Sequence, residues 1–456
     1  MTTTSRFPNQ SLRPAAVAGM LACAALLAAL PTRADEGPPA EPSALPAEGL
    51  DAAAAVRQAL ESSHVLAVAR LEVDAARAEA AFGGRWDNPE LSMEWEEFGI
   101  SRPAWKQSEL TFRIEQAIPL GGRLGAGREA ASARAGRMES RLRLTASQLE
   151  TQVREAHLAA LAEQARTELL AESLLMARKV LDAVRTGIEL GQSAPADEHL
   201  ALAEYRGEEV AMRRAQARLD ELKAHLAAYW GGSASQVGRL AGSLEPAPVS
   251  PVDGAGPCAT TGEGALQPLV LAPIAALREE KRAVLALEEQ RRLPELSVMG
   301  GFRGMEGFSE QAFVAGVSIP LPAWNRHKAE IETASLEVRR AEALLRARQR
   351  EWHGLVAAER SAAFTAWQDY QGIRDGVLPE LEKGLAAVLE AFRGGDAGSL
   401  DVLDAQRSVL AARMQMLEAA EATLAAGIRL EGLLQTSSGQ AETGADARYA
   451  GEEVTP

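Results

Sequence analysis

The stretch Ile118-Pro-Leu-Gly-Gly-Arg-Leu-Gly-Ala-Gly-Arg-Glu-Ala130 joins the end of an apolar strand, a Gly-rich turn and the start of a helix. Its glycine spacing comes close to that of a phosphate-binding P-loop, which requires Lys and then Ser or Thr after the last glycine. Those positions hold Arg128 and Glu129, and a carboxylate there would repel phosphate. A second stretch, Ser318-Ile-Pro-Leu-Pro-Ala-Trp-Asn-Arg-His-Lys-Ala-Glu-Ile331, repeats the Ile-Pro-Leu without the glycines. We therefore interpret the motif as a structural junction that occurs twice, rather than a nucleotide site.

Other segments repeat at nearly the same distance along the chain. The matching pairs are Asn88-Pro-Glu-Leu-Ser with Leu293-Pro-Glu-Leu-Ser, Ile118-Pro-Leu with Ile319-Pro-Leu, and Gly191, Asp197, Ala201 with Gly395, Asp401, Ala405. The offsets are 205, 201 and 204 residues. A repeat this long indicates a duplicated unit and a pseudo-two-fold protomer, not a solenoid.

Hydrophobic periodicity predicts the same elements in each half. In the first half we expect a helix at about 48–82, strands at about 89–98 and 109–118, and helices at about 123–190 and 196–230. In the second half we expect a helix at about 274–292, strands at about 295–302 and 312–319, and helices at about 325–393 and 399–434. Pro379 should disturb the long second helix, because proline removes a helix hydrogen bond.

The remaining segments differ in composition from these repeats. Residues 1–34 have the basic start, apolar run and small final residue of a signal peptide cleaved after Ala34. An uncleaved membrane anchor, or lipidation at Cys23, are the alternatives for this segment. Residues 35–47 and 436–456 are predicted to be disordered, and residues 231–273 to form an irregular equatorial linker. The two structural repeats then cover residues 48–230 and 274–435.

Charge and cysteine content exclude several classes of function. The chain has 63 acidic and 48 basic residues. The charged residues of segment 1–34 are all arginines, so cleavage after Ala34 would make the chain more negative. Such a negative chain is not expected to bind nucleic acid. Cys258 is the single cysteine after residue 34, so no intramolecular disulfide is expected. The chain has no HExxH, CxxC or GxSxG motif and its histidines are scattered, so no catalytic residues, cofactor or metal site are predicted.

The long helices carry apolar residues at alternating spacings of three and four, which is the pattern of a coiled-coil seam. Two of these seams are Leu170, Leu174, Ala177, Leu181, Val184, Ile188 and Leu403, Leu410, Met414, Leu417, Leu424, Ile428. A helix of this length spans roughly 100 Å and needs partners along its whole length. A helical bundle or a filamentous coiled coil would both satisfy this pattern.

The predicted strands alternate between apolar and polar residues. Leu91, Met93 and Trp95 alternate with Ser92 and Glu94. Ten of the sixteen Phe and Trp residues lie in the two strand regions, as in strands that face lipid and water on opposite sides. An ordinary hairpin packed on a helix is the alternative. Because a membrane barrel needs at least eight strands, four strands per chain would have to be pooled among several copies.

The order of elements over about residues 50–434 resembles the TolC-like outer membrane efflux proteins. The most specific match is Phe392-Arg-Gly-Gly-Asp-Ala-Gly-Ser-Leu-Asp-Val-Leu-Asp-Ala-Gln-Arg407, which resembles the second periplasmic helix–helix turn of that family. Residues 187–205 resemble the first turn less closely, since Pro195 and Glu198-His199 depart from the pattern. Asn88-Pro-Glu-Leu and the two Ile-Pro-Leu segments look most like the cobalt–zinc–cadmium resistance branch.

This resemblance implies a mainly α fold with β structure. Each chain would supply long antiparallel coiled-coil helical hairpins and four membrane β-strands to a trimer that forms an α-barrel and a β-barrel. The protein would lie in the outer membrane of a Gram-negative bacterium, with most of the chain in the periplasm. Its partners would be two further copies, outer membrane lipid, a periplasmic adaptor protein and an inner-membrane pump, of the resistance–nodulation–division type.

The resemblance also suggests roles for individual residues. At the closed end of the tunnel, the aperture or gate candidates are Asp401, Asp404 and Asp197, with a solvated helix N-terminus as the alternative for Asp401. The adaptor-docking tips are placed at Gly191, Gly394 and Gly395. The junction between barrel and tunnel is placed at Pro119, Gly121, Gly122, Pro320 and Pro322, where Gly and Pro supply unusual backbone angles.

The expected function is a passive duct for efflux of heavy-metal cations. A type I protein-secretion duct or a drug-efflux duct of the same fold is one alternative. A purely structural periplasmic coiled-coil protein is another, from a different class.

Overall fold

The computed structural model describes residues 49–96, 109–191, 194–249, 267–305, 310–321, 326–394 and 396–436. The helices and strands along these residues form two similar series, each with a pair of strands between helices. The first series is α1 (Ala52–Ser62), α2 (His64–Phe82), β1 (Glu90–Glu96), β2 (Glu109–Pro119), α3 (Arg123–Glu189) and α4 (Pro195–Ala228). The second is α5 (Ala272–Gln290), β3 (Glu295–Met305), β4 (Glu310–Ser318), α6 (Lys328–Gln371), α7 (Leu378–Gly394) and α8 (Ser399–Leu434). The mainly α fold with a small sheet is confirmed. The predicted signal peptide, the predicted disordered segment 35–47 and Cys258 lie outside the described residues. The predicted disordered tail also lies outside them, except for Thr436, which forms a β-bridge with Pro268.

The prediction of one helix over about 48–82 was wrong, because two helices occupy that range. Ser63 separates them with an extended backbone (φ −68°, ψ 119°). The break leaves few backbone groups unpaired, since the Ser63 N–H donates to Ala59 and its carbonyl accepts from Ala67. Both helices pack against α3, and Ser63 itself is buried. Packing on one long helix therefore decides this break, and serine alone does not predict it.

The long helix of the second repeat is interrupted near the predicted proline. α6 ends at Gln371, residues Gly372–Val377 form π-helical turns, and α7 continues to Gly394. Pro379 lies just beyond these turns and cannot donate the hydrogen bond that an α-helix requires at its position. The corresponding part of α3 is continuous.

The four strands form one antiparallel sheet in the order β1-β2-β3-β4. The central pair, β2 and β3, joins the two repeats, with Phe112 opposite Phe302. β1 and β4 are the edges of this four-stranded sheet. Alternate residues of a strand point to opposite faces, so the register assigns each side chain to a face.

The two faces of the sheet differ sharply in polarity. The charged side chains described in the strands share one face: Glu90, Glu94, Glu96, Glu109, Arg113, Glu115, Glu295 and Arg303. On this face Arg303 pairs with Glu109 at 2.8 Å and donates to Thr111 at 3.1 Å. The opposite face carries a row across all four strands, made of Met93, Phe112, Phe302 and Phe313. The alternation predicted from the sequence is thus present as a two-faced sheet.

The helices lie side by side in a fixed order. Near the sheet, the sequence of neighbours is α2, α3, α5 and α6, and at the far end it is α4, α3, α8 and α7. α3 is thus the shared partner in both parts. None of the helices in the described ranges has both the length and the apolarity needed to cross a membrane.

Ion pairs connect α3 with α8 along their antiparallel contact. The pairs, with their N–O distances, are Arg154–Glu431 (2.7 Å), Glu155–Arg429 (3.1 Å), Arg166–Glu418 (3.2 Å) and Glu172–Arg413 (3.5 Å). Each such exposed pair contributes about 0–1 kcal/mol, so their main effect is to set the register between the two helices. The two apolar seams predicted for these helices are partly core: Ala177, Leu181, Val184, Leu403 and Leu417 are buried, and the other seam residues are half-buried.

Two short segments, one before α1 and one after α4, are bound to the middle of α3. Leu50 bridges Leu240, and the His157 side chain of α3 lies 2.9 Å from the Leu50 carbonyl oxygen. Because that oxygen can only accept, Nε2 of His157 carries the proton. Burial lowers the pKa of His157 below its ordinary value, so the ring is kept neutral. Gln164 fixes the same segment through both the N–H and the carbonyl of Leu240.

Candidate gate and membrane junction

The candidate gate residues lie at the end of the helices farthest along the chain from the strands. α3 turns into α4 at Gly191, whose left-handed backbone (φ +72°) is the usual helix C-terminal signal for glycine. α7 ends at Gly394 and α8 begins at Ser399. Gly395, the third predicted tip residue, lies outside the described residues. Leu190, beside the first turn, is 67% exposed.

A compact apolar cluster holds the four helices together just behind these turns. Its buried members are Val180, Leu181, Val184, Ala201, Val402 and Leu403, and partly buried residues of α7, including Leu389 and Phe392, pack against them. The cluster contains side chains from α3, α4, α7 and α8. The polar residues discussed next are therefore carried by one packed unit.

Asp197 and Asp401 occupy equivalent places in the two repeats. The Asp401 carboxylate accepts a hydrogen bond from the Gly398 N–H at 2.8 Å, and Asp197 accepts from Ala194 at 3.1 Å. Each is the third residue of its helix and caps the start of that helix. The hydrogen bond from Gly398 therefore supports the alternative role of Asp401 as a residue that stabilises the helix N-terminus. Such a contact leaves the second carboxylate oxygen available to solvent.

Asp404 and Glu204 share one guanidinium. Arg407 of α8 reaches across to α4, where its Nε donates to Glu204 at 2.7 Å and its Nη2 contacts the second Glu204 oxygen. Asp404 lies 3.3 Å from the same guanidinium. The hydrogen bond from Arg407 lowers the pKa of Glu204, and the same contact raises the pKa of Arg407. We call the Arg407–Glu204 contact the tip latch, because it is a two-pronged link between the two helical hairpins. The first hairpin is α3 with α4, and the second is α6 and α7 with α8.

A third carboxylate lies one turn further along α4. The pKa of Glu208 is raised, mainly by burial, and the negative charge of the neighbouring Glu204 raises it further. Ser173 of α3 opposes the shift with a hydrogen bond, and Arg407 opposes it by charge. Because three carboxylates share one arginine, the site has an excess of negative charge.

The tip latch was not among the predicted site residues. Glu204 and Glu208 are four apart on α4, which places them on one helix face, and Arg407 ends the motif that resembles the family. The sequence thus contains the signal for each residue separately. Which face of α4 meets α8 depends on packing, and the sequence alone does not specify that.

At the other end, the predicted junction residues surround the start of α3. β2 ends at Pro119, Gly121 has a left-handed backbone (φ +72°), and Gly122 is the residue before the helix. A Cβ atom on Gly121 would lie 2.5 Å from Leu293, in the turn between α5 and β3. Pro320 follows the end of β4, whereas Pro322 lies outside the described residues.

We expect Gly121→Ala to destabilise the protein by about 1–2 kcal/mol, because a left-handed backbone is strained for any residue with a Cβ atom. Gly122→Ala is the matched control, since its backbone is not left-handed and its nearest neighbour lies at 3.7 Å. The measurement is the midpoint of thermal unfolding of the purified protein. Equal midpoints for the two variants would show that Gly121 is not required at the junction.

Among the described residues, no group of three or more His, Cys, Asp or Glu side chains is placed to hold a metal ion. The helix–helix turns carry charged side chains, including the tip latch between the two helical hairpins. The sheet has one polar face and one apolar face.

Comparison with known proteins finds matches over both repeats. The sequence pattern of the family described as outer membrane efflux protein matches residues 55–232 and 269–435. The chain is 28% identical to the cobalt-zinc-cadmium resistance protein CzcC of Cupriavidus metallidurans over 355 residues, which cover 77% of this chain and 82% of that protein. It is 25% identical to the nickel-cobalt-cadmium resistance protein NccC of Alcaligenes xylosoxydans xylosoxydans over 295 residues, or 64% of this chain and 65% of that protein.

Solved structures show the same fold. A membrane protein of Pseudomonas aeruginosa superposes with a TM-score of 0.71, at 16% identity, over 89% of this chain and 97% of that one. CusC superposes with a TM-score of 0.68, at 17% identity, over 84% and 92% of the two chains. The family pattern covers both repeats and leaves out most of the linker between them. The chain therefore belongs to the outer membrane efflux protein family.

Proposed function

We propose that the chain is the outer membrane duct of a tripartite efflux system and that it exports heavy-metal cations. The observation that carries the duct is the two-faced sheet, which continues directly into a helix roughly 100 Å long. The sheet suits a membrane and the helices suit passage across the periplasm. The cargo rests on the relatives, whose names record resistance to cobalt, zinc, cadmium and nickel. A passive duct of this kind needs no catalytic residues and no cofactor.

Three copies would complete the structure. One chain leaves β1 and β4 as sheet edges, and an unpaired edge is not tolerated in lipid. The outer helices follow the same division, with α2 and α4 on the side of β1 and α6 and α7 on the side of β4. Exposed small and apolar residues at coiled-coil spacing run along α4, namely Leu200, Ala203, Gly207 and Val210. We place this seam against α7 of a neighbouring copy in the proposed trimer.

The helix–helix turns would receive the other components. Leu190 beside the first turn and Leu400 beside the second are both exposed apolar residues. Exposed apolar groups grouped at a helical end favour contact with a helical partner. We place the periplasmic adaptor at Gly191 and Gly394–Gly395, and the resistance–nodulation–division pump behind it.

The gate would be formed by the acidic residues near the same turns. In a trimer, Asp401 and Asp404 would give rings of carboxylates, which favour cations over anions. Asp197 would contribute less, since it is only half exposed and caps α4. The tip latch would hold the two hairpins together in the closed state.

A deletion strain tests the cargo. Loss of the chain should lower the tolerance of its host to cobalt, zinc and cadmium, and a plasmid copy should restore it. Unchanged metal tolerance together with raised sensitivity to organic drugs would contradict the metal assignment and favour a drug-efflux duct. A defect confined to protein export would instead favour a secretion duct.

A further inference from the structure

The two hairpins of the chain differ in one respect that pseudo-symmetry does not predict. α3 is continuous from Arg123 to Glu189, whereas its counterpart is divided into α6 and α7 by the π-helical turns at Gly372–Val377. We call these turns the π segment. π-helical turns inside a longer helix widen the hydrogen-bond pattern and commonly mark functional positions.

The residues of the π segment explain why the α-helix is weakest here. Pro379 cannot donate to the carbonyl of residue 375 and its ring crowds that carbonyl. Gly372 and Gly376 are both poor helix formers, and a Cβ atom on either would meet nothing within 4 Å. Glycine is therefore not required at these positions by crowding within the chain, so its effect is to loosen the backbone.

The parts on either side of the π segment are held differently. α6 has buried side chains up to Tyr370, and the Trp352 indole donates to the Leu433 carbonyl oxygen at 2.8 Å. None of the described residues of α7 is buried. α7 contacts α8, and Glu382 binds Arg413 of α8 at 2.8 Å. At the π segment, α6 with its buried side chains thus passes into α7, whose described side chains are at most half-buried.

The contacts beyond the π segment also fall into two groups. Arg413 holds Glu382 within the second hairpin and Glu172 of α3 in the first, at 2.8 and 3.5 Å. The tip latch, Arg407 with Glu204, likewise joins the second hairpin to the first. Among the ion pairs of the described residues, movement of α7 with the start of α8 would break Glu172–Arg413 and the tip latch, and it would also disturb the apolar cluster. The contact within the second hairpin would remain.

We propose that Gly372–Val377 is the hinge of the gate: α7 and the start of α8 bend away from a rigid α3–α4 hairpin at this point. The proposal rests on the duct function and adds where the chain bends to open it. α8 has no break of its own and follows by bending over its length. The tip latch, the Glu172–Arg413 pair and the apolar cluster behind the turns all oppose the bend.

The test restores a regular helix at the π segment. We would introduce Gly372→Ala, Gly376→Ala and Pro379→Ala together into the Arg407→Ala variant, whose latch is already broken. Single-channel conductance in planar bilayers is then compared with that of Arg407→Ala alone. The restored helix should remove about half or more of the conductance gained by breaking the latch, because the bent state becomes less populated.

Gly384→Ala is the matched control. It lies in α7, beyond the hinge, and a Cβ atom there also meets nothing within 4 Å. This variant should keep the full conductance gain. The same gain in the triple variant and in the control would overturn the hinge. A wild-type protein that forms no pores would instead contradict the duct itself, so the two failures can be told apart.

A second readout covers the case in which the triple variant assembles poorly. Pro379→Ala alone removes the largest obstacle to a regular helix and leaves both glycines in place. Spin labels on Glu390 of α7 and Lys179 of α3, both surface positions, report the distance between the hairpins. With Arg407→Ala the distance distribution should broaden to longer values, and Pro379→Ala should narrow it again. An unchanged distribution in both would also overturn the hinge.

Discussion

Replacing Arg407 with alanine is expected to raise the conductance of the pore and the fraction of time it is open. The change removes the tip latch and leaves Glu204, Asp404 and Glu208 without their shared cation. An exposed two-pronged ion pair contributes about 1 kcal/mol. Three latches acting on one gate would give about 3 kcal/mol, on the order of a hundredfold in the closed-to-open ratio.

Arg206→Ala is the matched control for the latch. Arg206 forms an ion pair of 2.7 Å with Glu209, but both residues belong to α4. Its loss removes one arginine near the tip without freeing one hairpin from the other. The double exchange Glu204→Arg with Arg407→Glu should restore low conductance. Wild-type conductance in Arg407→Ala would exclude the latch from the gate.

Introducing arginine at Phe313 is expected to abolish assembly in the outer membrane. Phe313 is 97% exposed in the single chain and belongs to the apolar row with Met93, Phe112 and Phe302. Arginine facing lipid costs about 2–4 kcal/mol at the middle of the membrane and less toward its surfaces. A trimer carries the change three times, which is enough to prevent stable insertion.

Ala312→Arg tests the opposite face with the same side chain. Ala312 is the preceding residue of β4 and lies opposite Arg303 on the polar face. This variant should appear as trimers in the outer membrane fraction, detected as heat-modifiable bands on a gel. Equal recovery of both variants would mean that the two faces do not meet different solvents.

The sheet shows how far the sequence could predict the structure. Alternation in residues 89–98 and 109–118 was sufficient to assign the apolar and polar faces, because the side-chain period of a strand is two. The pairing of Phe112 with Phe302 was not predictable, because it depends on how two strands almost 200 residues apart align. The sequence therefore shows that aromatic residues are frequent in the strands, and only the structure shows that they form a row across the sheet.

The helices show a different limit. The start of α8 at Ser399 and the disturbance near Pro379 follow from local signals. The break at Ser63 depends on packing against α3, so the helical periodicity of the sequence predicted one continuous helix there. Likewise, the family resemblance suggested Asp401 as a gate candidate, but the tip latch depends on the rotation of α4 relative to α8. Interhelical contacts of long side chains are the part that sequence periodicity does not fix.

The central claim is that three copies of this chain form one hollow, cation-preferring duct. The most direct measurement is single-channel recording of the purified protein in planar bilayers, with mass determination of the inserted species. The account predicts trimers that conduct in discrete steps, prefer cations, and gain conductance with Arg407→Ala. A stable, water-soluble monomer that never conducts would contradict it.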